Sequence, residues 1–298
     1  MKNQTFNKPP TKKIGRSVAM LAILTPLISQ AALTGPYTAD ANTLHLYHLD
    51  QAVTPLTDSG SAATLYDLTN ATSTLGASSY SGFGTALSFS VGNQEAKSNV
   101  GSPQSDWQGA SGSFTYEALI NDSTAGGTQT IMARDHTTGG PNLRSFIFRL
   151  NGSNIEFINT GAAGNQTLAM ALPSTGFNAF AVNTWFQIAV TYNGTENTAG
   201  NFSFYFTKVD PSVTTANLLG TAQLTLDVGN TGGNSVFDVG NRDAAATGGF
   251  LGSIDEVRVS DIARTANQFI FAPVPEPSAM AICGLGFAGL LAFKRFKK

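Results

Sequence analysis

The chain has 298 residues, with 17 Lys and Arg against 19 Asp and Glu. Its net charge of −2 hides a segregation: five bases precede residue 17, four close the chain, and residues 32 to 277 hold all 19 acids with 8 bases, a formal charge of −11. So acidic a middle excludes nucleic acid or anionic lipid held by bulk electrostatics, and its 42% hydrophobic content with 20 Phe is enough to bury a sizeable core.

At the N-terminus a basic stretch ends at Arg16, an uncharged run follows from Ser17 to Ile28, and Ser29-Gln30-Ala31 supplies small residues at the third and first positions before a cut. That order reads as a secretory signal over 1–31, cleaved after Ala31. The segment 32–272 is then an exported domain. Its single-residue alternation is strong. Phe202, Phe204 and Phe206 alternate with Ser203, Tyr205 and Thr207, and Phe114, Tyr116, Ala118 and Ile120 alternate with Ser113, Thr115, Glu117 and Asn121. Period two buries one face of a strand and wets the other.

Further strands are expected at Leu44–Leu49, Ala86–Val91, Gln129–Arg134, Ser145–Asn151, Asn154–Asn159, Trp185–Tyr192, Ala222–Leu226, Ser235–Val239 and Phe250–Val259. Turn pairs such as Asn151-Gly152 and Asn193-Gly194 separate them, and no long amphipathic helix intervenes. Thr54–Ser81 and Ala162–Ala181 read as long loops. About a dozen short strands define an all-β chain, an antiparallel two-sheet jelly-roll sandwich. With only Cys283, near the end, the middle has no thiol for a disulfide or a cysteine metal site.

The C-terminus reads Pro275-Glu276-Pro277 within a linker at 273–278, an apolar helix over 279–293 and a basic tail at 294–298. The prolines keep the linker extended and accessible. The apolar run is short for a hydrocarbon core, and the bases favour a cytoplasmic tail. Gly284, Gly286 and Gly289 fit a dinucleotide fingerprint but lack the strand, the helix and the later acid it needs. This three-part end resembles the PEP-CTERM sorting signal of Gram-negative bacteria. The resemblance implies processing by an exosortase and display at the cell surface, or in an extracellular matrix, after transient anchoring.

A second resemblance lies in the middle, carried by Gly84-Thr85-Ala86-Leu87-Ser88-Phe89, by Ser113 to Ala118, by Asn183 to Tyr192 and above all by Gly252 to Thr265. These pieces resemble the LamG-like, concanavalin A-like lectin/glucanase superfamily. That implies a jelly roll of two curved sheets, commonly binding carbohydrate or protein on cell surfaces. The implied function is a non-catalytic module binding exopolysaccharide or matrix protein. A structural biofilm-matrix protein without a discrete ligand, or a glycoside hydrolase of the superfamily, are the alternatives.

Hydrolysis of a glycoside needs two carboxyl groups facing one cleft. By strand parity Asp255 and Glu256 project to opposite faces, and Glu117, Glu156 and Glu196 stand alone. His45 and His48, three apart, also face opposite ways, and His136 follows a turn without a serine elbow, so no catalytic residue is assigned. Period two sets Asp255 on the face of Val257 and Val259, toward the core. A buried carboxylate requires a partner: either hydrogen-bond donors or a calcium ion shared with Asp50 at the end of the first strand. For sugar, Trp107 in the loop Ser102–Gly109 is the candidate platform, the competing reading being that it caps an open end of the sandwich.

Overall fold

A computed structural model describes residues 33, 35–70, 72–134, 145–161, 164–229, 234–242, 245 and 247–271. The strands are β1 (Thr43–Tyr47), β2 (Leu68–Asn70), β3 (Thr74–Ser78), β4 (Thr85–Phe89), β5 (Ala96–Ser98), β6 (Phe114–Asp122), β7 (Thr128–Arg134), β8 (Phe146–Asn151), β9 (Asn154–Gly161), β10 (Gly164–Ala171), β11 (Trp185–Tyr192), β12 (Phe202–Lys208), β13 (Leu218–Ala222), β14 (Asp238–Val239) and β15 (Gly252–Ser260). Among the described residues the only helical pieces are two short 3-10 turns, Gln104–Trp107 and Ala266–Gln268.

The strands form two antiparallel sheets. Sheet A runs β13-β12-β11-β6-β15-β4-β3, with β1 also paired to β15; sheet B runs β10-β9-β8-β7-β14-β5-β2. The alternation visible in the sequence sets how they face each other. Phe114, Tyr116, Ile188, Val190, Phe202 and Phe204 of sheet A meet Phe146, Phe148, Ile155 and Phe157 of sheet B in one core. Rings bridge the layers: Tyr116 stacks on Phe146 at 4.3 Å between centroids, and Phe157 lies 5.0 Å from Phe202. Aromatic pairs at these separations add to plain area burial. The expected architecture is therefore present. The long loop expected at Thr54–Ser81 contains β2 and β3, and that at Ala162–Ala181 contains β10. These are edge strands, whose outward side chains stay wet and hide the apolar periodicity.

The outer face of sheet A is itself covered. Leu119 and Ala189 point away from the main core and meet Leu46, Tyr37, Phe83, Tyr205 and Phe269–Phe271 in a second apolar cluster. The segment before β1 and the segment after β15 thus pack on the same side of the sandwich.

Gly252 opens β15 at φ +137°, and a Cβ there would collide with the carbonyl oxygen of Asn121 on β6. Gly152, in the β8–β9 turn, has φ +61° and open space around it. Gly252→Ala is expected to cost about 3 kcal/mol or more and Gly152→Ala about 1 kcal/mol, read from urea denaturation midpoints. Equal costs would contradict the steric account.

Candidate functional site

Strand β15 is shared by two neighbours lying end to end on the same edge. Gly252 to Ile254 pair with β4, and Val257 to Ser260 pair with β1. Where one partner replaces the other, β15 bulges: Asp255 lies opposite Leu119 and Arg258 opposite Glu117, so three steps on β15 match two on β6. Glu256 absorbs the extra residue in a left-handed conformation, φ +48°. The bulge reverses side-chain parity. Ile254, Val257 and Val259 face the main core, while Asp255 and Arg258 share the outer side with Leu119 and Glu117. The parity reading of Asp255 as a core-facing residue is thereby corrected. The opposition expected for Asp255 and Glu256 also fails, because both carboxyls are buried beneath the outer cluster and sense each other's charge.

Each has protein partners. Asp255 accepts hydrogen bonds from the Ser79 hydroxyl and, at 2.8 Å, from the Glu256 amide. Glu256 accepts from the Tyr37 amide at 2.7 Å and pairs with His48 Nδ1 at 2.8 Å. Burial, together with the charges of Glu256 and Asp50, pushes the Asp255 carboxyl up to about 8. Burial also raises Glu256, and the hydrogen bond with Glu256 raises His48. Alongside, Glu117 is held by Arg258 Nε at 2.7 Å and by the Tyr37 hydroxyl, with the Arg258 guanidinium 3.8 Å from the centre of the Tyr37 ring.

A carboxyl raised above neutrality resembles a general acid, but Asp255 and Glu256 have no exposed surface for a substrate to reach. Nor do the residues suit calcium. Asp50 is exposed and accepts from the Thr85 amide at 2.6 Å, and both Asp255 oxygens are engaged by donors. Among the described residues no group of three or more His, Cys, Asp or Glu could hold a metal ion. Of the two partners open to Asp255 from the sequence, hydrogen-bond donors are the ones present, and Asp50 is bonded to the Thr85 amide instead.

Trp107 is fully buried and offers no platform. Its ring lies between His45, 4.0 Å away, and Phe237, 4.3 Å away, and its Nε1 donates to Ser102 Oγ at 2.7 Å. Arg134, also fully buried, donates to Gln104, Ser102 and Ser235 beside it. The loop carrying Trp107 is pulled inward by this polar set, which was spread over distant parts of the sequence. His45 faces the same interior, bonded to Asp58 at 2.6 Å, while His48 faces the outer acids. His136, the signal site at Ala31 and the motif Pro275-Glu276-Pro277 lie outside the described residues.

An open feature lies on the other sheet. A groove of about 400 Å³ is lined by Thr128, Thr130, Ile147, Arg149, Arg242, Thr247 and Gly248. It lies on the outer face of sheet B, since Met132 and Phe148 of the same strands fill the core and Ile147 packs in a separate cluster with Ala133 and Ile158. The loop that closes it is pinned by the Thr130 amide donating to the Gly248 carbonyl at 2.8 Å. Across the β8–β9 hairpin Arg149 Nε donates to Glu156 at 2.8 Å, Asn151 donates to the other Glu156 oxygen at 3.0 Å, and Thr128 donates to Asn151 at 3.1 Å. This pairing was readable from the Asn151-Gly152 turn, which sets Arg149 opposite Glu156, yet it carried no recognisable motif. Among the described residues the lining holds no carboxyl or imidazole; it offers hydrogen-bond donors from hydroxyls and guanidinium groups.

The structure so far defines a two-sheet antiparallel sandwich with a polar groove on one face. Residues 92–269 match the Laminin_G_3 family of the concanavalin A-like lectin/glucanases superfamily, well over half of the chain, and the chain belongs to that family. Strands β1 to β4 precede the match and complete both sheets. Residues 273–295 match the PEP-CTERM protein-sorting motif, which marks the chain for export and sorting to the cell envelope or surface; such motifs are recognised by exosortase. No curated protein matches the chain. Solved structures of similar fold include domain 4 of the extracellular arabinanase AbnA from Geobacillus stearothermophilus, bound to arabinotriose. It is 15% identical, with a TM-score of 0.48, covering 77% of this chain and 97% of that one. The receptor-binding domain of botulinum neurotoxin type G is 9% identical with a TM-score of 0.47, and the match spans 78% of this chain but only half of that one. The CBM40 of the Ruminococcus gnavus IT-sialidase, bound to sialyllactose, is 14% identical with a TM-score of 0.39, covering 53% and 80%.

Two predictions follow from the buried groups. Trp107→Ala is expected to lower stability by about 4 kcal/mol, measured by urea denaturation, because it empties a ring-sized space in the core. A loss below about 1 kcal/mol would mean the ring is not packed as described. Second, Asp255, Glu256 and His48 all have raised affinities for protons in the folded state. The stability they contribute is present in acid and is lost as pH rises, for Asp255 through about 8. Asp255's contribution to the melting temperature should fall as pH rises from about 4 to about 8, and Asp255→Asn, which keeps one acceptor oxygen and cannot ionise, should flatten that slope. An unchanged slope in the variant would contradict the assignment.

Proposed function

We propose that the chain is an exported, non-catalytic carbohydrate-binding protein of the cell surface or extracellular matrix. In this reading the signal is cut after Ala31, residues 32–272 form the ectodomain, 273–278 the sorting linker, 279–293 a transient membrane helix and 294–298 a cytoplasmic tail in a Gram-negative envelope. Family membership supports the ligand class, since the superfamily comprises lectins and glucanases. The observation that carries the non-catalytic part is the separation of groove from acids. The open groove is lined by hydroxyls and guanidinium groups, whereas Asp255 and Glu256 are enclosed on the opposite side of the sandwich. A sugar-binding cleft needs a few convergent polar groups, and a glycosidase cleft needs two carboxyls within it.

The test is retention of the protein on exopolysaccharide from the producing bacterium, with reducing ends assayed in the same tube. Retention without release of reducing sugar is expected. Release of sugar that is abolished by Glu156→Gln, the carboxyl bonded to Arg149 of the groove, would overturn the non-catalytic reading.

A further inference from the structure

We infer that β10 is the edge through which two copies of this chain join, antiparallel, into one continuous sheet. Five strands lie at sheet margins, and four of them are guarded. Ser59, Ser61 and Ala62 donate their amides to the open carbonyls of β1. β2 has only three residues, and Leu56 bridges to its Leu68. β3 loses register between Thr74 and Ala77, at the left-handed Gly76, φ +71°. β13 shifts against β12 between Phe204 and Tyr205. Short strands, bulges and covering loops are how sheets keep their edges from pairing. β10 has none of these: its eight residues, Gly164–Ala171, pair with β9 without a shift, and they include neither a proline nor a charge.

Register fixes which groups are open. Leu172, next along the chain, donates its amide to the Ser153 carbonyl at 2.8 Å, so the even-numbered residues of β10 bond toward β9. Asn165, Thr167, Ala169 and Ala171 turn their amides and carbonyls the other way. All four are exposed, and among the described residues no hydrogen bond reaches those amides. About a twofold axis at Leu168, Asn165 would oppose Ala171 and Thr167 would oppose Ala169 of the second copy. One strand thus gives its mate every missing donor and acceptor, about eight bonds in all.

Charge favours a second copy at this margin. No Asp, Glu, Lys or Arg lies between Glu156 and Glu196, or between Asp210 and Asp227. These stretches supply β10 and β13, which stand side by side: Gln166 donates to the Gln223 carbonyl at 2.7 Å, and Met170 lies against Gly220. Leu218 and Leu226 are half-exposed on the same stretch as β13. The segment 32–277 carries a formal −11, so two copies repel where charged surfaces meet, and an uncharged margin is where they can approach.

The experiment is sedimentation equilibrium of the full chain in density-matched detergent, with residue-resolved hydrogen exchange on the same samples. Dimers are expected as concentration rises through the micromolar range, while the Thr167 and Ala169 amides gain protection. Thr167→Pro removes an outward donor but no bond to β9, and Thr167→Glu sets like charges across the twofold axis. Each should weaken dimerisation by about tenfold or more. Circular dichroism melts report whether each variant folds, and the exposed Thr167→Glu leaves the backbone pairing with β9 intact. Salt should tighten the dimer by screening the repulsion between acidic domains, and loosening would mean that ion pairs join the copies and would overturn the edge. Association that Thr167→Glu leaves unchanged would place the contact elsewhere, the apolar tail included, and overturn the assignment. A chain that stays monomeric throughout the range would overturn it as well.

Discussion

One strand with two successive edge partners organises this molecule. β1 and β4 are both antiparallel to β15 and lie end to end beside it, so β15 must accommodate a seam where neither pairs fully. The bulge at Glu256 is how the backbone does so. By shifting parity it keeps Ile254, Val257 and Val259 in the core on both sides of the seam and turns Asp255 and Arg258 outward together. Those outward charges then lie beneath the segment before β1. Tyr37 links them, donating its amide to Glu256 and its hydroxyl to Glu117. Arg258 donates to the Gln268 carbonyl at 2.9 Å, so the segment after β15 is tied to the same group. Buried charges gain little over well-packed apolar groups, but removing one partner strands the other, which makes such a network a specifier of one arrangement.

The sequence displayed the parts of the fold whose sides are cleanly divided. In β6, β11 and β12 every second residue is apolar because one face meets sheet B and the other meets the covering segments or solvent. Edge strands β3 and β10 escaped notice because neither face is buried enough to impose a pattern. The bulge escaped for a different reason. Left-handed bulge positions usually declare themselves with glycine, and here a glutamate occupies the position, stabilised by Tyr37 and His48, residues more than 200 positions away. Of the two sequence readings of Trp107, the exposed platform fails on similar grounds: a loop tryptophan looks exposed until Arg134, Ser102 and Phe237 are brought around it. Local pattern reveals what local physics decides, and these two sites are decided by long-range contacts.

The same contrast separates the acids from the groove. Asp255 and Glu256 have the raised proton affinities that often mark catalytic sites, yet in them the cause is burial in a structural seam, with every carboxyl oxygen given a donor. Perturbation without access has a structural explanation. The groove shows the reverse: ordinary residue types with open volume and preset donors. Recognition chemistry needs the second combination, because a ligand must first reach the groups that hold it.

Under the proposed tethering, the two faces would take different tasks. Leu33, Ala39 and Phe269–Phe271 all pack against the outer side of sheet A, so the chain enters and leaves the sandwich on that side. The groove is on the outer side of sheet B, separated from them by the full thickness of the core. In the proposed reading, a tail held at the envelope would draw on the side where Arg258, Glu117 and Tyr37 lock both ends of the domain, and the groove would face away from the attachment. In that reading, the separation would let a ligand occupy the groove without competing with the attachment for the same surface.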